Sequence, residues 1–149
     1  MTLLQLISRL EQVAKQQPSV NMIVRSDVFR LNSAPSLKYG VFAWVQGQHT
    51  ATVDGSVQYN FSLIYVDRLL NDESNQVEIH SVGCETIQNI LRTMVETDEI
   101  EVGSYTIQAF NQRFTDSCAG VFANVTFTVY PTAICAESFE QNDDQFLTY

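Results

Sequence analysis

Val57-Gln58-Tyr59-Asn60-Phe61-Ser62-Leu63-Ile64-Tyr65-Val66 alternates apolar and polar residues, then becomes continuously apolar. A period of two puts Val57, Tyr59, Phe61, Leu63 and Tyr65 on one face of a strand and Gln58, Asn60 and Ser62 on the other. The loss of alternation at Ile64 and Val66 predicts that one end of the strand is covered on both faces. Asp54-Gly55 stands just before it and predicts a hairpin turn. The partner strand is then Tyr39–Val53, carrying Tyr39, Val41, Phe42, Trp44 and Val45.

The same pattern recurs downstream. Val121, Ala123, Val125, Phe127 and Val129 alternate with Asn124, Thr126 and Thr128, and Pro131 ends the strand. Tyr105–Phe114 reads as a strand with Tyr105, Ile107 and Ala109 inward and Thr106 and Gln108 outward, and Asp116–Gly120 reads as the turn between the two. Upstream, Val20–Leu31 is strand-like through Met22, Ile23, Val24, Val28 and Phe29, and Asn32–Lys38, with Pro35, reads as a turn.

Two segments have helical spacing instead. Met1–Gln17 places Leu3, Leu6, Ile7, Leu10, Val13 and Ala14 on one stripe, with Thr2 as N-cap and Pro18 as the stop. Gln5, Arg9, Gln12 and Gln16 form its outer face. Glu73–Glu96 follows the polar break Asn71–Ser74, with Val77, Cys84, Ile87, Ile90, Leu91, Met94 and Val95 as its stripe. Gly83 weakens that helix by ~1 kcal/mol relative to alanine unless close packing needs the missing side chain. Thr97–Gly103 reads as an acidic loop.

The expected fold is α+β: a two-layer domain with a mostly antiparallel sheet, two helices packed on one face, and the order α-β-β-β-α-β-β. Residues 1–131 form this single domain. Residues 132–149 form an acidic C-terminal tail with Glu137, Glu140, Asp143 and Asp144, ending in Phe146, Leu147 and Tyr149. Such a tail is either frayed or docked on a neighbouring subunit through its aromatics.

The chain has 149 residues, enough to bury a sizeable core. Charged residues make up 17%, below the typical ~25%, and uncharged polar residues fill the gap. Such a surface is cheaper to desolvate, which suits broad protein contact. The net charge is −9 with eight scattered Lys and Arg, so nothing resembles a phosphate-binding footprint. A wall that DNA must slide past without sticking would still be neutral or acidic. Cys84, Cys118 and Cys135 are odd in number and widely spaced, which argues for a reducing compartment. No stretch approaches the ~20 apolar residues of a membrane helix. The expected setting is cytoplasm.

Catalytic constellations are weak. His49 and His80 lack metal-ligand spacing, and there is no glycine-rich phosphate loop and no nucleophile elbow. Asp67-Arg68 fits a strand-end ion pair better than a site. Asp98, Glu99 and Glu101 lack the ligand pattern of a calcium loop. Trp44, Tyr39, Tyr59 and Tyr65 fit a core better than a pocket. The reading is therefore non-enzymatic, with no catalytic, cofactor-binding or metal-ligating residue and no cofactor.

Tyr65-Val66-Asp67-Arg68-Leu69, running through Ser74-Asn75 into the Glu78–Ile90 helix, resembles small proteins of crAss-like and related phages of Bacteroidetes. Residues 105–114 (YTIQAFNQRF), 118–127 (CAGVFANVTF) and 2–21 (TLLQLISRLEQVAKQQPSVN) share the likeness, which extends to about Tyr130. The resemblance implies a tail-terminator-like fold and a structural virion protein of the neck or tail. It implies a head-to-tail connector that extends the portal channel and joins capsid to tail while DNA passes. It further implies a cyclic homo-oligomer, twelvefold to match a portal or sixfold to match a tail tube. Neighbouring portal, adaptor or tail ring proteins would be its partners. It would enclose DNA without reading sequence, touch no membrane, and assemble in the host bacterial cytoplasm. Two rival readings stand beside it. One is a small-ligand-binding or enzymatic α+β domain with His49 or Asp67 pointing into an apolar cavity. The other is a cytoplasmic adaptor that binds one host protein.

Overall fold

The computed structural model describes residues 1–25, 39–70, 72–113 and 117–131. Helix α1 spans Leu3–Lys15 and opens with a reciprocal cap. Gln5 N–H donates to Thr2 Oγ1 at 3.2 Å, and Thr2 N–H donates to Gln5 Oε1 at 2.8 Å. This satisfies two backbone donors that helix geometry leaves open. Leu6, Ile7, Leu10, Val13 and Ala14 are its buried stripe, as expected.

Strand β1, Met22–Val24, runs parallel to β2, Val41–Ala51. The remainder of the expected Val20–Leu31 strand and the Asn32–Lys38 turn lie outside the described residues. Strand β3, Val57–Arg68, returns antiparallel to β2. The hairpin between them is the expected one: Gly55 sits at φ +94°, and Thr52 N–H donates to Ser56 O at 2.9 Å. A residue pair slips between Gln46 and His49, so β2 carries a bulge at Gly47-Gln48.

Helix α2 spans Gln76–Met94, three residues later at its start than expected. Glu73 adopts a left-handed φ of +59°, which cannot begin a right-handed helix. Asn75 serves the junction instead. Its Oδ1 accepts from Leu70 N–H at 2.9 Å, and its Nδ2 donates to Arg68 O at 3.0 Å. The buried stripe of α2 is Ile79, Gly83, Thr86, Ile87, Ile90, Leu91 and Met94. Val77 and Val95 belong to the exposed side, a correction to the expected stripe, and Cys84 is half-buried. Arg9 also departs from the solvent face assigned to it, because its guanidinium reaches across to Thr93 O at 3.1 Å.

Three short to long strands complete the sheet: β4 (Ile100–Val102), β5 (Ile107–Arg113) and β6 (Ser117–Val129). The order is β1-β2-β3-β6-β4, with β5 also on β6. The α+β reading with both helices on one face holds, as two helices against a mixed six-stranded sheet. The strands do not lie in chain order across the sheet, because β6 is inserted between β3 and β4. The expected acidic loop contains β4, which pairs with Phe127–Val129 of β6. The expected turn at Asp116–Gly120 is strand from Ser117 onward. Ala109 is exposed, because β5 is the outer strand at its level and the helices lie over β3 and β6. Asn71, Asp116, Cys135 and the tail at 132–149 lie outside the described residues.

The core sits between sheet and helices. Phe42, Trp44, Phe61, Leu63, Tyr65, Val121, Val125 and Phe127 meet the stripes of α1 and α2. Gly83 is needed there. A Cβ on it would lie 2.7 Å from Val121 Cγ2 and 2.9 Å from Tyr65 Cδ1, so the missing side chain lets the helix lie against the sheet. The opposite face has a second apolar cluster of Val41, Ala43, Ile64, Val66 and Cys118. The run Leu63–Val66 is therefore buried on both sides, as its composition predicts.

Tyr65 also sets a pH limit. Its hydroxyl donates to Ser19 O at 3.4 Å and is pushed up to about 12, by burial first and then by the Asp67 carboxylate beside it. An unfolded tyrosine ionises near pH ~10. A raised folded value gives stability that is complete below pH ~10 and lost as pH climbs toward about 12. Tyr65→Phe is expected to flatten this alkaline decline, read as denaturant midpoints measured against pH.

Candidate assembly surfaces

The sequence-level candidates do not gather at one point. His49 is exposed near the free end of the β2–β3 hairpin. Its ring lies edge-on to Tyr59 at 4.9 Å, and its Nε2 is 2.6 Å from Gln46 Nε2. Asp67 is eight positions along β3 from Tyr59, the residue paired with His49, so about 26 Å separates them by strand rise. Asp67 and Arg68 occupy opposite faces of β3. Asp67 Oδ1 accepts the Arg68 backbone N–H at 2.7 Å, and the Arg68 guanidinium lies 5.8 Å from the Tyr39 ring. The expected strand-end pairing of these two side chains is thus replaced by contacts on separate faces.

His80, on α2, has Nε2 3.4 Å from Phe110 O. Trp44 and Tyr65 are core residues on the helix side, Tyr59 packs at the margin, and Tyr39 is on the other face. Glu101 stands on β4 and accepts the Tyr130 hydroxyl at 2.6 Å, which pushes the Tyr130 ionisation up. Among the described residues no three His, Cys, Asp or Glu side chains come together as a metal site. No helix among them is long and apolar enough to cross a membrane.

What the fold does build is a sheet face that no helix among the described residues covers, with its polar rungs exposed or half-buried and its apolar rungs at Ala43, Ile64, Val41 and Val66 buried, and strand register fixes its composition. Near one end, Thr50, Gln58, Thr128 and Glu101 form a rung. Asn60 and Thr126 form the next, and Val45, Ser62 and Asn124 the one after. Ala43, Ile64, Phe122 and Gln108 follow, then Val41, Val66, Gly120 and Phe110. Thr126 Oγ1 donates to Asn60 Oδ1 at 2.6 Å and Ser62 Oγ to Asn124 Oδ1 at 2.7 Å, so the polar rungs are tied across β3 and β6. Such cross-strand bonds hold side chains flat against the sheet.

Two shallow hollows flank Asn124. One, of about 330 Å³, reaches to Ser104, Thr106 and Gln108. The other, of about 270 Å³, reaches to Gly47, Asn60 and Thr126. Their polar linings are amides and hydroxyls. Among the described residues, the charges on this face stand at its two ends, Arg68 and Glu101.

Sequence reasoning found the polar positions on β3 and β6 but not their union into one face. That union depends on β6 pairing with β3 across an intervening helix. The exposed apolar residues Leu4, Val53, Leu70, Val77, Val95 and Tyr130 are spread over the helices, turns and strand ends. No protein-family model matches the chain, and no curated protein matches it.

Proposed function

We propose that the chain is a structural subunit that packs against copies of itself and neighbouring proteins, as a ring in the neck or tail of a bacterial virus. The observation that carries this reading is the sheet face away from α1 and α2, whose central rungs, Asn60 with Thr126 and Ser62 with Asn124, hold hydrogen-bonding groups without charge. Amides and hydroxyls can be desolvated against another protein at modest cost and can bridge through water. A net charge of −9 with the cations dispersed gives DNA nothing to hold, which suits a channel component. The resemblance of residues 2–130 to phage neck proteins points the same way.

The test is native mass spectrometry and electron microscopy of the purified protein, with and without the portal of its virus, together with its detection in purified virions. A closed cyclic oligomer or incorporation into particles supports the reading. A protein that stays monomeric with the portal present and is absent from virions overturns it.

A further inference from the structure

We infer that copies of this chain join by adding the free edge of β2 to the free edge of β4, head to tail, as a continuous antiparallel sheet. The inference rests on the assembly reading and names the contact that would build it.

The edges follow from the register. β1 covers β2 only at Val41–Ala43, so among the described strands β2 is open from Trp44 to Ala51. At the far side of the sheet, β4 ends the order of the described strands. Antiparallel strands alternate residues that bond to one neighbour with residues whose backbone groups point the other way. Thr52 N–H donates to Ser56 O, so Thr50 faces β3 and His49 and Ala51 turn their N–H and C=O groups outward. Tyr130 N–H donates to Glu99 O, so Glu101 faces β6 and Ile100 and Val102 turn theirs outward.

These two outward sets match. Ala51, Val57, Val129 and Ile100 share one level of the sheet, and His49, Tyr59, Phe127 and Val102 share another. Counting directions across β2, β3, β6 and β4 makes β2 antiparallel to β4. A second copy placed alongside in the same orientation therefore sets Ala51 against Ile100 and His49 against Val102, each as a hydrogen-bonded pair.

The bulge at Gly47-Gln48 limits the flat part of β2 to His49–Ala51, the same three-residue length as β4. Neither stretch carries the lysine or proline that commonly blunts an edge. From Val45 to Val53 the β2 side holds no Asp, Glu, Lys or Arg, so Asp98, Glu99 and Glu101 on the β4 side meet an uncharged strand. Two residues past Ala51, the fully exposed Val53 comes level with Asp98, next to the groove lined by Met1, Leu4 and Glu99. Each subunit offers one edge of each kind, so the contact is heterologous and closes when its rotation divides a full turn.

Thr50 and Glu101 become opposite neighbours across the contact, and both are exposed. Within one chain they are three strand spacings apart, about 14 Å, beyond the ~7 Å reach of a disulfide. A T50C/E101C chain with Cys84→Ser and Cys135→Ser is expected, on mild oxidation, to form a ladder of cross-linked multimers that stops at a fixed size. Mixing two chains that each carry only one of the two introduced cysteines, with Cys118 buried in both, is expected to give a heterodimer and no ladder. Self-linking by either single variant to the same extent would overturn the head-to-tail assignment. An oligomer in native mass spectrometry that fails to cross-link overturns this contact and leaves the assembly reading standing. A ladder from a protein absent from virions keeps the contact and removes the viral role. A chain that forms no cross-link, stays monomeric with the portal present and is absent from virions removes both.

Discussion

Replacing Gly120 with alanine is expected to destabilise the protein by about 3 kcal/mol or more, at or beyond the upper end of overpacking costs. Gly120 lies in β6, beside Val66 of β3 and opposite Phe110 of β5. A Cβ built there would come 1.9 Å from the Tyr65 carbonyl oxygen and 3.0 Å from Phe110 Cζ. The ring could move, but the carbonyl belongs to the central strand pair and cannot retreat without opening the ladder. Gly103→Ala is the control, since nothing lies within 4 Å of its added carbon. Urea unfolding of the two variants should separate them clearly. Equal midpoints would mean that β3 and β6 are not packed as closely as described.

Phe61→Ala is expected to cost about 3–5 kcal/mol, as for other large-to-small changes of buried aromatics. Phe61 is 2% exposed and stands edge-on between Trp44 and Phe127, with both ring centroids at 5.7 Å. Its removal takes away two aromatic contacts and leaves a cavity in the core between sheet and helices. Trp44 is the single tryptophan, so its fluorescence reports the same site that the substitution empties. A loss of stability without any change in that signal would place the ring elsewhere.

The two central strands were readable because both satisfy the simplest rule available, apolar against polar at every second position. α1 was readable for a similar reason, with Thr2 and Gln5 both at capping positions. The failures have physical causes. β4 hides in an acidic run because only Ile100 of its three residues is buried. Its existence depends on Phe127–Val129, which lie far away in sequence. The run 117–120 reads as a turn because its residues are small, yet Gly120 is in a strand, and the Tyr65 carbonyl and the Phe110 ring occupy the space a side chain there would need. Val77 is apolar and so reads as part of the α2 stripe, but it stands exposed in the first turn of the helix, and Ile79 takes the buried place. The candidate contact surfaces were the least legible. Which face a polar residue shares, and which way a backbone N–H points, follow from register, and register is a property of pairs of strands.

The placement of β6 between β3 and β4 has a consequence for biosynthesis. The strand translated last among those described is the one that the middle of the sheet waits for. Until Cys118 and the residues after it have left the ribosome, β3 can pair only with β2, and its Phe61, Leu63 and Tyr65 lack the neighbours that complete their enclosure. Nucleation on this pair must close a loop of about fifty residues, which slows folding relative to local pairing. A nascent chain stalled before Ser117 would present that bare strand to the cytosol, where chaperones and other nascent copies compete for it.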